Sequence, residues 1–197
     1  YNDKFSRHRA AVAAVLFLLV LSAFAFLVPE QKMIDYETAD IASSDPYVQM
    51  FDAVKKGQVN LDIPVSEGLK AMDNPYDWQQ RIDKGVSYAW DRAYFEGEYY
   101  SYFGIAPVFV LYFPFYFLTG SLPTLNVTIC FFSILSIVFL LQTILTMVRM
   151  FIKKPNLLLL LLGLCSSVFC SGIYYALDFT DIYFPAKVSG ICFMLLC

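Results

Sequence analysis

Three long stretches without charge alternate with polar segments along the chain. They cover residues 10–29, 99–148 and 155–177. A bilayer-spanning helix needs about 20 apolar residues, so each stretch is a membrane candidate. The pattern predicts transmembrane helices over 10–28, 127–148 and 157–177. A fourth begins at 188 and stops at residue 197, too short to span. Because the chain also lacks an initiator Met, we expect it to be the N-terminal part of a longer protein.

The first apolar stretch follows three basic residues, Lys4, Arg7 and Arg9. A basic segment before an apolar run is typical of a signal peptide. However, no small-residue cleavage pattern follows, and residues 10–28 are long enough to cross a bilayer. We therefore predict an uncleaved first span, ended by Pro29, with residues 1–9 as a cytoplasmic tail.

The polar segment 29–126 then lies outside the cytoplasm. It carries a predicted helix over 46–56, because Asp45 and Pro46 form an N-cap followed by proline at the first helical position. Gly57 suits the helix end. Apolar residues recur at helical spacing on one face: Tyr47, Met50, Phe51 and Val54. Such a helix, next to a span, is predicted to lie on the bilayer surface.

Aromatic residues crowd the end of this segment. The sequence AYFEGEYYSYF predicts a short β-hairpin that turns at Glu96-Gly97. Tyrosines and tryptophans are frequent between residues 76 and 102, and they suit either stacking on sugar rings or an interfacial aromatic belt.

The uncharged stretch from 99 to 148 allows either two spans or one. The next loop, 149–156, holds Arg149, Lys153 and Lys154, and short basic loops are preferentially cytoplasmic. If the N-terminus is cytoplasmic, a single span within 99–148 places the loop 149–156 in the cytoplasm, whereas two spans would place it outside. Pro107 and Pro114 also disfavour a straight helix. We therefore predict that 104–118 is a re-entrant or juxtamembrane segment.

The remaining segments complete the predicted fold. A second extracytoplasmic loop covers 178–187, so both acidic loops face the same side. The predicted class is an all-α integral membrane protein, a polytopic helical bundle with a large extracytoplasmic first loop carrying juxtamembrane helices. The predicted location is the inner (cytoplasmic) membrane.

Composition supports a membrane protein and excludes several functions. The 197 residues are 58% apolar, and fourteen of the seventeen acids lie between Glu30 and Glu98. An acidic outer loop argues against nucleic acid as a partner. The five cysteines show neither disulfide nor metal spacing. The sequence lacks HExxH, GxSxG and a glycine-rich phosphate loop, so soluble nucleotide or hydrolase chemistry has no support.

Acids and cations of the two outer loops are the candidates for chemistry. Carboxylates near a membrane boundary tend to be functional, which singles out Asp178 and Asp181. The structural alternatives are that Asp178 ends a helix, that Asp45 only caps one, and that Asp91 pairs with Arg92. The outer cations able to meet a lipid phosphate are Arg81, Lys84, Arg92 and Lys187.

The layout resembles the C-type (GT-C) membrane glycosyltransferases, especially bacterial relatives of the protein O-mannosyltransferase and lipid A aminoarabinose transferase group. SSDPYVQMFDAVKKG resembles their acidic motif and surface helix, and EGEYYSYFGIAPVFVLYFPFYFLTG resembles the segment that closes their first loop. Only Pro107 stands where relatives often have two prolines. Asp45 lacks the further acid that commonly lies beside the catalytic aspartate, so Asp40 is a second counterpart.

This resemblance implies transfer of a sugar from a polyprenyl-phosphate donor to an acceptor on the extracytoplasmic face. Asp45, or Asp40, is the implied general base. Asp181 is implied to orient the acceptor or to hold a divalent cation, which leaves metal dependence open. Residues assigned to the substrate or the lipid phosphate are Asp91, Arg92, Tyr100 and Lys187. The expected partners are the lipid bilayer and the lipid-linked sugar.

Two other functions remain open at this point. One is a non-catalytic membrane protein of the same fold. The other is a lipid or solute transporter, although transporters place ionisable residues within spans and the predicted spans have none near their middle.

Overall fold

The computed structural model of this chain describes residues 3–25 and 33–197, with side chains from residue 9 onward. It divides into two compact units. The helical unit comprises Tyr1–Met33 and Pro123–Cys197, and the central unit comprises Ile34–Leu122. The predicted boundary of the first span at Pro29 and the side chains of Lys4 and Arg7 lie outside the described residues.

Helices dominate the described residues, in agreement with the coarse prediction of a helical protein. The α-helices are α1 Asp3–Phe24, α2 Pro46–Lys55, α3 Glu67–Lys70, α4 Trp78–Asp83, α5 Phe113–Thr119, α6 Leu125–Phe151, α7 Leu157–Cys170, α8 Ile173–Asp178 and α9 Phe184–Leu196. The short strands are β1 Ile34–Asp35, β2 Ala93–Phe95, β3 Glu98–Tyr100 and β4 Ser121–Leu122.

The helical unit packs around α6. Its core is aliphatic and is contributed by α1, α6, α7 and α8, with Leu19, Ile137, Leu141, Leu164 and Val168 among its buried members. On the α9 side, the Ser136 hydroxyl donates a hydrogen bond of 3.1 Å to the carbonyl of Val188. A serine at this contact lets the two helix backbones approach closely.

Among the described residues, α6 is the one helix that is long and apolar enough to cross a membrane. The helices at the other predicted spans are shorter: the apolar part of α1 is Arg9–Phe24, α7 has 14 residues and α9 has 13. Helix lengths alone therefore do not establish a polytopic bundle. The predicted bounds also shift, because α1 already begins at Asp3 and α6 runs past 148 to Phe151.

The predicted continuous helix over 157–177 is wrong. Gly172 has φ +79°, a left-handed conformation that ends α7, and α8 starts after it. The Ser171 hydroxyl supports the break, since it donates to the carbonyl of Val168 at 2.6 Å and accepts the N–H of Ile173 at 3.3 Å. Glycine pays little steric cost in this conformation, which is why the break falls here.

The predicted loop 178–187 is also too long. The last helix begins at Phe184 rather than 188, with Pro185 in its first turn, where its missing N–H costs nothing. Lys187 is therefore a helical residue.

In the central unit, α2 is the buried element. Its predicted cap and length are confirmed: Asp45 is the N-cap, Pro46 begins the helix and Gly57 follows its end with φ +78°. The prediction of a helix on the bilayer surface is wrong, because every residue from Pro46 to Ala53 is buried. The polar side chains on the opposite face of α2 are also buried, because they have hydrogen-bond partners within the central unit.

Residues 104–118 form a helical segment with a defect rather than an irregular dip. A π-helical turn over Val108–Tyr112 leads directly into α5. Pro114 cannot donate the hydrogen bond of a regular turn, so the pattern widens just before it. Gly120, at φ +74°, ends α5 and donates to the carbonyl of Tyr116 at 2.8 Å. The re-entrant placement stays a prediction.

Two small sheets close the central unit. β1 pairs with β4, with Ile34 opposite Leu122, so the two ends of the unit lie side by side. The hairpin prediction is confirmed, since β2 pairs with β3. Glu96 and Gly97 both have positive φ, +48° and +87°, as a two-residue type I′ turn requires.

Candidate functional site

Asp45 uses one carboxylate oxygen to begin α2 and keeps the other uncommitted. Its Oδ1 accepts the N–H groups of Tyr47 at 2.8 Å and Val48 at 3.2 Å. Its Oδ2 accepts no hydrogen bond from the described residues. Burial raises the pKa of Asp45, against the opposing effects of the two N–H groups and of the charge of Arg92. The half-buried carboxylate is therefore a stronger base than an ordinary aspartate.

Gln49 lies one helical turn after Asp45 and joins two distant segments to α2. It is 3% exposed. Its Nε2 donates to the carbonyl of Ala42 at 2.9 Å, and its Oε1 accepts from Nε of Arg92 at 2.7 Å. A buried amide with both ends paired fixes the position of its partners.

Arg92 is held on one side and open on the other. Besides the bond to Gln49, its Nη1 donates to the carbonyls of Trp90 at 3.3 Å and Asp91 at 3.1 Å. Its Nη2 donates to none of the described residues. Burial lowers the pKa of Arg92, while the negative charges of Asp45 and Asp91 raise it. A guanidinium stays protonated under such a shift, so the site combines a fixed cation with a nearby basic carboxylate.

A buried tyrosine lies beside this pair. Tyr47 is fully buried, and its hydroxyl has no hydrogen-bond partner in the described part of the chain. Its ring packs 6.1 Å from that of Tyr112 and 5.9 Å from that of Phe103. Burial, followed by the charge of Asp45, raises the pKa of Tyr47. These three rings form an apolar cluster at the start of α2.

Two other predicted binding residues have different surroundings. Asp91 has φ +56° and accepts a hydrogen bond from the hydroxyl of Tyr102 at 2.9 Å. Its peptide carbonyl accepts a hydrogen bond from Nη1 of Arg92 at 3.1 Å. Tyr100 donates to Glu98 at 3.0 Å, which raises the pKa of Tyr100. Tyr100 also lines a separate cavity of about 200 Å³ against α2.

Asp40 is exposed and begins a short 3₁₀ turn over Ile41–Ser43. Its carbonyl, not its carboxylate, accepts the hydroxyls of Ser43 at 3.2 Å and Ser44 at 2.7 Å. The turn is joined to α2 through Ala42 and Gln49. Of the two acids that the resemblance offers as general base, Asp45 is the one whose charge acts on Arg92.

Asp181 and Lys187 belong to the helical unit. Both are exposed. Asp181 precedes α9, where its carbonyl accepts the N–H of Phe184 at 3.1 Å, and the ammonium of Lys187 lies 4.8 Å from the ring centre of Phe184. Asp178 is the last residue of α8, as its structural alternative predicted. The roles of Asp181 and Lys187 in catalysis stay predictions.

The described residues contain no group of three His, Cys, Asp or Glu side chains placed to hold a metal ion. The role of Asp181 in holding a divalent cation stays a prediction from the resemblance.

A charge network around the buried Asp52 was not predicted from the sequence. Asp52 is 1% exposed and accepts the hydroxyl of Tyr36 at 2.7 Å and the ammonium of Lys56 at 2.8 Å. Lys56 also bonds Asp62 at 2.5 Å, which lowers the pKa of Asp62. The i,i+4 spacing of Asp52 and Lys56 was a signal for this pair. Because every member is partnered, the network is structural.

An apolar face of the central unit is open. Along the π-turn and α5, the exposed residues include Phe109 at 54%, Phe117 at 78% and Leu118 at 85%. Phe109 stacks on Phe113, with ring centres 5.7 Å apart. Nearby, Lys55 lies 3.8 Å from the ring centre of Tyr36 and donates to the Tyr116 hydroxyl at 2.8 Å. Apolar rings beside a lysine and tyrosines are typical of a bilayer interface.

Known proteins offer no assignment for this site. The chain matches no known protein family, no curated protein and no solved structure. The function has to be argued from the residues of the chain itself.

Proposed function

We propose that this chain belongs to a membrane glycosyltransferase that moves a sugar from a polyprenyl-phosphate donor to an acceptor on the extracytoplasmic face. One observation carries the proposal: an uncommitted carboxylate oxygen of Asp45, with a raised pKa, lies near a fixed guanidinium that still has an open Nη2. A base for the acceptor and a cation for the leaving phosphate are what this reaction needs.

Asp45 acts as the general base. Its Oδ2 accepts the proton of the acceptor hydroxyl as the acceptor oxygen bonds to the anomeric carbon of the sugar. The bond between that carbon and the phosphate oxygen breaks, and polyprenyl phosphate leaves with the electron pair. A carboxylate whose pKa is raised toward the operating pH is better suited to this proton transfer.

Arg92 stabilises the charge that develops on the leaving phosphate. Gln49 and two backbone carbonyls hold its guanidinium before the substrate arrives, so little reorganisation accompanies the reaction. The Nη2 group remains for the phosphate, and guanidinium geometry matches phosphate oxygens. Lys187 and Asp181 belong to the other unit, and their roles stay predictions from the sequence.

A lipid-linked donor requires that the protein lie in a bilayer. Two features support this placement. Helix α6 satisfies the length and composition of a span. The exposed face of α5 supplies an apolar surface for the prenyl chain or the outer leaflet. We further propose a polytopic GT-C-like bundle in which α1, the broken pair α7–α8 and α9 accompany α6. Arg149, Lys153 and Lys154 would face the cytoplasm of a cell with this protein in its inner membrane.

A non-catalytic relative of the same fold is the second candidate. The observation in its favour is that capping α2 already explains why an aspartate stands at position 45. Capping, however, requires neither the open Oδ2 nor Arg92 beside it. Helix α6 carries no charge before Arg149 in its last turns, which disfavours a transporter with an ionisable site at the bilayer midplane.

The proposal is tested with the purified protein reconstituted into vesicles. Tritiated polyprenyl-phosphate sugars serve as donors, and membranes of the native host supply acceptors. We expect sugar transfer by the wild type. Arg92→Gln should reduce it by at least tenfold, whereas Lys84→Gln, which removes an exposed charge of the same unit, should not.

Absence of transfer with every polyprenyl-phosphate sugar would contradict the donor class. Equal effects of Arg92→Gln and Lys84→Gln would contradict the role of Arg92. Transfer from a nucleotide sugar instead would replace the proposed donor.

A further inference from the structure

A cavity of about 480 Å³ lies between α1 and α6 in the helical unit. Small-molecule sites commonly have volumes of this order. Its walls are mostly apolar and are lined by Leu16, Phe17, Val20, Val138, Leu141 and Leu145. The groove has the surface chemistry of a site for a hydrocarbon chain.

Three polar side chains interrupt this apolar lining, and all three come from α6. Gln142, Thr146 and Arg149 have the i, i+4, i+7 spacing of a single helix face and line the same groove. Seven residues of helix rise about 10 Å, so the polar line extends toward the C-terminal end of α6. All three are exposed. The Thr146 hydroxyl donates to the carbonyl of Gln142 at 2.8 Å, so this polar line includes a bond within the helix itself.

The end of the groove near Arg149 is basic. Cys130, in the first turns of α6, contacts the carbonyl of Ala23, near the end of α1, through its thiol at 3.7 Å. The two helices are therefore antiparallel, and Arg9 lies toward the same end as Arg149. Lys153, in the loop after α6, does not line the groove. The groove thus combines an apolar wall with a positive end, which complements an amphiphile carrying a negative headgroup.

We propose that this groove binds an anionic phospholipid of the leaflet that faces the basic loop. An acyl chain lies along Leu16, Val20 and Leu141, and Arg149 binds the phosphate. Basic pockets between membrane helices on the cytoplasmic side recognise anionic headgroups in this way. The inference rests on the membrane placement in the proposed function but not on sugar transfer.

The test uses the purified chain in a neutral detergent, with bound lipids counted by native mass spectrometry. The probes are phosphatidylglycerol and phosphatidylcholine with the same acyl chains. We expect phosphatidylglycerol to bind at least tenfold more tightly. Arg149→Gln should weaken its binding about tenfold, because a charge-assisted hydrogen bond is lost. Lys153→Gln, which makes the same change of charge outside the groove, should change binding less than twofold.

A second variant tests the apolar half of the site. Val138→Trp fills the groove at a position that is 40% exposed, so it does not disturb the buried core. Val138→Trp should weaken the binding of both lipids by a similar factor, whereas Arg149→Gln should weaken the binding of the anionic lipid alone.

Several results would overturn the proposal. They are equal binding of the two lipids, equal losses in Arg149→Gln and Lys153→Gln, no effect of Val138→Trp, or no lipid bound because a protein helix fills the groove. Selective lipid binding without any sugar transfer would support this site and contradict the proposed function. Release of the chain from native membranes by alkaline carbonate would contradict the membrane placement on which both depend.

Discussion

Nε of Arg92 donates a hydrogen bond of 2.7 Å to Oε1 of Gln49, although 43 residues separate them in the chain. This bond brings a cation of the segment before β2 to the buried helix α2. Asp45 lies one turn earlier on the same helix, with one oxygen given to the cap and one open. The candidate site thus depends on a glutamine that holds the cation and on a cap that leaves half of a carboxylate available.

Replacing Gln49 by leucine should destabilise the central unit by about 1–3 kcal/mol. The change leaves Nε of Arg92 and the carbonyl of Ala42 without their partner in a buried place. The measurement is chemical denaturation of the protein in detergent, followed by the fluorescence of its two tryptophans, Trp78 and Trp90. Gln79→Leu is the matched control, because Gln79 is exposed and its side chain donates to the exposed Asp83. Equal losses in both variants would contradict the importance of the Gln49 link.

Asp45 should make folding pH-dependent. Burial raises its folded pKa above the ordinary 3.8, so its contribution to stability is complete below 3.8 and is lost as the pH rises through the folded pKa. Asp45→Asn keeps an oxygen for the cap and removes the charge. The variant should therefore gain stability relative to the wild type as the pH rises from about 3.8 toward neutrality.

The measurement is the free energy of unfolding of both proteins across this pH range. Asp45→Ala separates the cap from the charge, because it should lose about 1 kcal/mol of capping energy at every pH. Parallel curves for the wild type and Asp45→Asn would show that burial does not shift this carboxylate.

The hairpin that follows Arg92 depends on its turn glycine. Gly97→Ala should cost about 1–2 kcal/mol, because φ +87° places a side chain in the left-handed region. Gly104→Ala is the control, since a Cβ at either glycine meets no atom within 4 Å and only Gly97 has positive φ. The comparison of unfolding midpoints isolates backbone conformation from packing, and equal midpoints would contradict the type I′ turn.

Local signals in the sequence were sufficient for α2 and the β2–β3 hairpin but not for the burial of α2, and they did not indicate α3, α4 or the β1–β4 pair. Asp45-Pro46 marked the start of α2, and Glu96-Gly97 marked the hairpin turn. The stripe of Tyr47, Met50, Phe51 and Val54 indicated one apolar face, yet α2 is buried on nearly all sides. Gln49 and Asp52 are covered because Arg92 and Tyr36 pair with them, and such long-range partners are invisible in a local pattern.

The break in the helical unit had a comparable cause. Residues 157–177 contain no charge, so hydropathy alone predicted one continuous helix over them. Gly172 ends α7 through its backbone conformation, which hydropathy does not record. Likewise, spacing could not distinguish Asp40 from Asp45 as the acid near Arg92, because that choice follows from how the 3₁₀ turn meets α2.

The exposed face of α5 should enter the bilayer. Phe117→Trp, in a chain whose Trp78 and Trp90 are replaced by phenylalanine, should show fluorescence quenching by lipids brominated on their acyl chains. Phe95→Trp is the control, because Phe95 is also exposed, at 56%, but lies at the hairpin. Quenching of both tryptophans to the same degree, or of neither, would contradict membrane contact through α5.

The most direct test of the central claim is the rate of sugar transfer by Asp45→Asn, measured in vesicles with a donor that the wild type uses. Asparagine keeps the cap of α2 but cannot accept the proton of the acceptor. We predict a loss of about 10²–10⁴-fold in rate with folding retained, the contribution typical of a general base. A rate within twofold of the wild type would contradict the assignment of Asp45 as the catalytic base.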